Sequence, residues 1–107
     1  MDKKVEQVLY SIGLMPNYKG YQQLVQALKI AAEKPESLTI VTKWLYPVVA
    51  RKCGTNWQAV ERNIRTMLKI AWRTNPEKLE EWVGYPLEQK PKPAQFLALL
   101  VYQVSHT

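Results

Sequence analysis

The sequence predicts an all-α fold, a six-helix bundle containing a helix-turn-helix, as a single domain over residues 1–107. Three observations carry that expectation. Apolar residues recur at helical spacing in segment after segment, with Gly, Pro and capping residues between them. No stretch shows the sustained apolar–polar alternation of a half-buried strand. Finally, Ala50, Gly54 and Val60 stand at the offsets of two helices joined by a tight turn.

Taken in order, a first helix covers about residues 3–12, with Val5, Val8, Leu9 and Ile12 on one stripe. Gly13 stops it, and Pro16 keeps the following residues out of helix. A second helix follows Gly20 and ends before Pro35, its buried face marked by Tyr21, Leu24, Val25, Leu28, Ala31 and Ala32. Residues 37–41 are β-branched in part but too few for a convincing strand, and read as a connector. Helix resumes near Thr42. Pro47 has no N–H to donate and fits only a first helical turn, so a bend is expected there, with Pro47 opening a short helix through Val48, Val49, Ala50 and Lys52. Thr55, with Gln58 three residues on, has the spacing of a capping box and starts a fourth helix running to about Arg73. Asn75-Pro76 caps a fifth, short helix carrying Leu79, Trp82 and Val83 and closed by Gly84. Residues 85–93 form a Pro- and Lys-bearing loop. The last helix, about residues 93–104, is apolar nearly all round and is expected to bury more than one face.

The chain is 47% hydrophobic, with four Trp and six Tyr, enough to build a core and to exclude intrinsic disorder. Fifteen basic residues against nine acidic give a formal charge of +6, which favours a polyanionic partner. Cys53 is the only cysteine, so no internal disulfide forms, and it reads as a small buried hydrophobe between the motif helices. The N-terminal residues lack the apolar run of a signal peptide, and the most apolar stretch, residues 96–101, is far short of a membrane span. The expectation is a soluble, cytoplasmic, nucleoid-associated protein. His106 stands alone, and no metal-ligand spacing, phosphate loop or nucleophile elbow is present. No cofactor and no enzymatic activity are expected. Trp44, Trp72 and Trp82 read as core, and Trp57 as half exposed.

The fourth helix carries the functional signal. At about 100° per residue, Val60, Ile64, Met67 and Ala71 share a narrow sector, while Gln58, Arg62, Arg65 and Lys69 lie opposite, flanked by Glu61, Thr66 and Arg73. A charged outer face is ordinarily only a solvated one. Its upstream neighbour changes that reading: Ala50 lets a second helix approach, Gly54 permits a left-handed turn, and Val49 and Cys53 lock the pair. The late apolar position of the motif is Asn63, with Ile64 taking over its packing. A second helix of this kind presents its N-terminal half to base edges in the DNA major groove. Arg62 and Arg65 offer bidentate donors to guanine, Glu61 accepts from cytosine, and Gln58 suits adenine. Thr42, Lys43, Lys69 and Arg73 fall nearer the DNA backbone, where contacts set register.

Three runs then become recognisable: residues 42–52 (TKWLYPVVARK), residues 60–65 (VERNIR) and Ala71-Trp72. With Ile12-Gly13, Lys19-Gly20-Tyr21, Gly84-Tyr85 and residues 90–93 (KPKP), they resemble the C-terminal effector domain of the sporulation master response regulator of endospore-forming bacteria. The likeness spans nearly the whole chain, without that family's receiver domain, which implies either an excised fragment or a stand-alone protein not switched directly by phosphorylation. It further implies a six-helix DNA-binding domain that activates or represses transcription, with Glu61, Arg62 and Arg65 reading bases. The same resemblance implies contact with the RNA polymerase sigma subunit around residues 77–83 and a homodimer on adjacent DNA boxes through the last helix, residues 96–104. Trp57 departs from the family at a position usually small, and residues 72–84 are one residue short and more acidic, with Glu77, Glu80 and Glu81. The competing expectation is a non-catalytic interaction module that pairs with a full-length regulator or with the sigma subunit.

Overall fold

Six α-helices follow one another in the computed structural model, which describes residues 2–106 and contains no strand among them. They are α1 (Asp2–Ser11), α2 (Tyr21–Glu33), α3 (Tyr46–Cys53), α4 (Trp57–Thr74), α5 (Pro76–Val83) and α6 (Pro93–His106). The all-α six-helix expectation holds, and no described helix is long and apolar enough to cross a membrane.

The core forms because each helix turns one apolar stripe inward. α2 contributes Leu24, Ala27, Leu28 and Ala31, α4 contributes Val60, Ile64, Met67, Leu68 and Ala71, and α6 contributes Phe96, Leu97, Leu100 and Val104, all buried. α2 touches α3, α4 and α6 and so lies at the centre, while α6 closes the bundle against α1, α2, α4 and α5. The outward side of α6 carries Ala98 and the exposed Tyr102, so one arc of that helix is sealed in the core and the opposite arc is open. Trp44, Trp72 and Trp82 are half-buried and pack against the edge of the core, short of the full burial expected of them. Their ring size explains this, because an indole at a helix flank reaches the core with one edge only.

The connection between α2 and α3 consists mostly of two short helical turns, with Lys34 and Ile40 outside them in non-helical conformations. A 3-10 turn, Pro35–Thr39, leads into a π-helical turn, Val41–Leu45, which joins α3 directly. Leu45 and Tyr46 both keep right-handed helical dihedrals, and the Tyr46 N–H donates to the Val41 carbonyl. The expected bend at Pro47 is thus replaced by a widened turn. Pro47 enters at the first turn of α3, as expected, and the wider π ring ahead of it accommodates a residue that cannot accept a regular α register.

A buried tie sets the placement of α4. Asn63 is only 6% exposed, and its Nδ2 donates to Gln23 Oε1 of α2 at 2.9 Å. Gly20, with φ 92°, lies against it: a Cβ there would meet Asn63 Cβ at 2.6 Å. Asn63 and Ile64 are therefore both buried. Ile64 does not replace Asn63; the amide is accepted into the core because a polar partner meets it.

Candidate nucleic-acid interface

The turn between α3 and α4 shows why these residues form a helix-turn-helix. Gly54 adopts the left-handed conformation (φ 67°, ψ 38°), its N–H donates to the Arg51 carbonyl at 3.5 Å, and the Thr55 N–H donates to the Ala50 carbonyl at 2.9 Å. This pair of bonds is a Schellman closure of α3. It occupies Thr55, so the helix cap falls one residue later than the capping-box spacing indicates. Asn56 is extended and its Oδ1 accepts from the Ala59 N–H at 2.8 Å, which makes it the N-cap of α4 in place of Thr55. Ala50, Val49 and Val60 are buried where the helices meet, as the offsets required, and Cys53 is half-buried beside them.

The outer face of α4 stands over this joint. Arg62, Arg65, Lys69 and Arg73 are exposed, Glu61 is half-buried, and Thr66 is turned back to its own helix, donating from Oγ1 to the Arg62 carbonyl at 3.0 Å. Beneath Glu61 and Arg65 lies Tyr46 of α3, whose hydroxyl is buried with no hydrogen-bond partner among the described residues. Its pKa is raised to about 12, chiefly by burial, with the Glu61 carboxylate adding to the rise and Arg65 opposing it. Of the three charged residues expected to read bases, Glu61 and Arg65 are thus close enough to Tyr46 for their charges to act on it.

An open groove of about 1160 Å³ runs along this face. α4 supplies one wall, including Glu61, Arg62, Arg65, Lys69 and Arg73, and the loop ahead of α6 supplies the other through Gln89, Lys90 and Lys92. The groove therefore gathers five of the eight residues singled out from the sequence. Gln58 is exposed in the first turn of α4 outside the groove, next to Trp57, which is 37% exposed. Thr42 and Lys43 are exposed on the π-helical turn before α3, also outside it. Lys90 and Lys92 were not among the expected site residues. Their signal in the sequence was a Lys-Pro alternation, which a loop reading absorbs without remainder.

The groove's charge is strongly one-sided, with Arg62, Arg65, Lys69, Arg73, Lys90 and Lys92 set against Glu61. α4 also points its N-terminus, the positive end of its dipole, out of the joint with no acid in the first turn. Such an arrangement attracts phosphate. A family model described as sporulation initiation factor Spo0A C terminal matches residues 5–104, which runs from the first core residue of α1, Val5, to the last of α6, Val104.

Proposed function

Because the chain belongs to the family of sporulation initiation factor Spo0A C-terminal domains, DNA-binding effector domains that regulate transcription in sporulation, we propose that it binds a short DNA box sequence-specifically with α4 in the major groove. Arg62 and Arg65 each give two parallel donors to guanine O6 and N7, Glu61 accepts from a cytosine amino group, and Gln58 reads from the first turn. Lys69, Arg73, Thr42 and Lys43 hold the phosphates that set the register. The observation that carries this reading is the outer face of α4, where four exposed cations and one carboxylate are spread along the helix that the Schellman turn joins to α3. The half-buried setting of Glu61 above α3 supports its role, since a carboxylate with restricted freedom loses less on forming a directional bond to a base.

Two protein contacts complete the proposal. α5 keeps Glu77 and Glu81 exposed and accessible to the sigma subunit, whereas Glu80 turns inward to accept from the Leu87 N–H at 2.7 Å. Pairing of copies on adjacent boxes would use the open arc of α6 around Ala98 and Tyr102, because Phe96, Leu97, Leu100 and Val104 are committed to the core.

An electrophoretic shift with a family-type box and a scrambled duplex tests the reading. The intact protein should prefer the box. Arg65→Ala should lower the ratio by roughly 5- to 150-fold, the equivalent of about 1–3 kcal/mol for one bidentate pair. Lys69→Ala should weaken both duplexes alike and lower the salt slope by about 0.9. Equal affinity of the intact protein for both duplexes would refute base reading and favour the interaction-module alternative.

A further inference from the structure

We propose that the loop joining α5 to α6 is a second DNA-gripping element, in which Lys90 and Lys92 hold the sugar-phosphate backbone of one strand while α4 reads the bases beside it. The inference rests on the reading of α4 as the helix in the major groove. Lys90 and Lys92 are both exposed and line the groove wall opposite Arg65 and Lys69, so a strand lying in the groove meets cations on both sides. Between the walls the half-buried Trp72 contributes apolar surface, which suits the deoxyribose faces of a strand.

The loop is held in shape before any ligand arrives. The Leu87 N–H is anchored on Glu80 Oε2 at 2.7 Å, and the Lys92 carbonyl accepts from the Phe96 N–H at 2.9 Å. Pro91 is buried between the two exposed lysines, and Pro93 is the first residue of α6. Proline fixes φ at both positions, so the lysines leave a backbone with little freedom left to lose. Lysine is a compact point charge without the planar fork of arginine, which matches it to phosphate contact and leaves base reading to α4. The groove is open to solvent and not an enclosed cavity, as a continuous strand requires and a small ligand does not.

The test measures affinity of the intact protein, Lys90→Ala/Lys92→Ala and the charge-matched control Lys3→Ala/Lys4→Ala, whose lysines lie beside α5 in a separate cleft without α4. Each is titrated on the box and on the scrambled duplex from about 50 to 200 mM salt. The loop variant should lose affinity on both duplexes by the same factor, with the salt slope reduced by about 1.8, so that the fourfold rise in salt costs it about twelvefold less affinity than the intact protein. Methylphosphonate substitution, one phosphate at a time, should find positions that weaken the intact protein and leave the loop variant indifferent. An unchanged slope, an equal loss in the control, or full retention of phosphate sensitivity in the loop variant would overturn the proposal. A box-to-scrambled ratio of one in the intact protein would instead defeat the reading of α4, and the slope comparison would still decide the role of the loop.

Discussion

Gly20→Ala perturbs the contact that seats the recognition helix. Two costs add at this position. The backbone φ of 92° is one an L-residue rarely adopts, at about 1–2 kcal/mol. The added Cβ would also stand 2.6 Å from Asn63 Cβ and within 3.5 Å of Asn63 Cα, so α4 itself must move, and overpacking of this sort costs about 1–3 kcal/mol. Loss of unfolded-chain entropy offsets about 0.4–1 kcal/mol. The net expectation is a destabilisation of about 1–4.5 kcal/mol, against the roughly 5–15 kcal/mol that holds a domain of this size together. Gly54→Ala is the internal comparison. Its φ of 67° is also positive, but nothing lies within 4 Å of the new Cβ, so only about 1 kcal/mol is expected. Urea unfolding of both variants, read as shifts in midpoint at constant m, measures the difference. Gly20→Ala should in addition weaken box binding, because Asn63 lies between Arg62 and Ile64 on the displaced helix. Equal destabilisation by the two substitutions would refute the claim that the Asn63 contact, and not the dihedral, sets the cost.

Three further substitutions report on the joint under the recognition face. The Tyr46 phenol ionises at 10.0 in its unperturbed state and at about 12 in the fold, so raising the pH through that window favours the unfolded chain. The contribution, about 2–3 kcal/mol, is fully present below pH 10 and gone above about 12. Tyr46→Phe should abolish this alkaline loss, and near neutrality it should leave stability unchanged or raise it by up to about 1 kcal/mol, since it removes a buried hydroxyl without a partner. Denaturation curves at pH 8 and pH 11.5 check both, and an undiminished alkaline loss in the variant would count against Tyr46 as its source. Asn56→Ala should cost about 1 kcal/mol through loss of the α4 cap, whereas Thr55→Ala should be nearly neutral. Thermal melts giving the reverse order would restore Thr55 as the cap.

Much of the architecture was legible because helix boundaries are decided by neighbours in the chain. Gly54 after the apolar run of α3, Asn75-Pro76 before α5 and the inward stripes of α2 and α4 act over four residues or fewer, the span of one helical turn. The same locality explains why the charged face of α4 could be found from a helical wheel. Its limits appear at Thr55 and Pro47. The capping-box spacing points to Thr55, but Thr55 is taken up in the turn that closes α3, and Asn56 is the extended residue whose Oδ1 meets the free Ala59 N–H. At Pro47 the rule against mid-helix proline is sound, but the chain met it by widening one turn ahead of the proline, with no break in the helix.

By itself, then, the sequence determined six helices, their stops, the joint at Gly54 and a cationic face on α4 carrying Arg62, Arg65 and Lys69, with Glu61 at its flank. The tertiary structure alone decided what stands opposite that face and what lies behind it. Lys90 and Lys92 reach the groove only because α6 folds back across α4, and Asn63 is tolerated in the core only because Gln23, 40 residues earlier, supplies the acceptor. The physical reason is one of range. Backbone hydrogen bonding and side-chain periodicity act within a turn or two, so a local pattern specifies them, whereas charge convergence and buried-polar satisfaction depend on distances set after distant segments have packed.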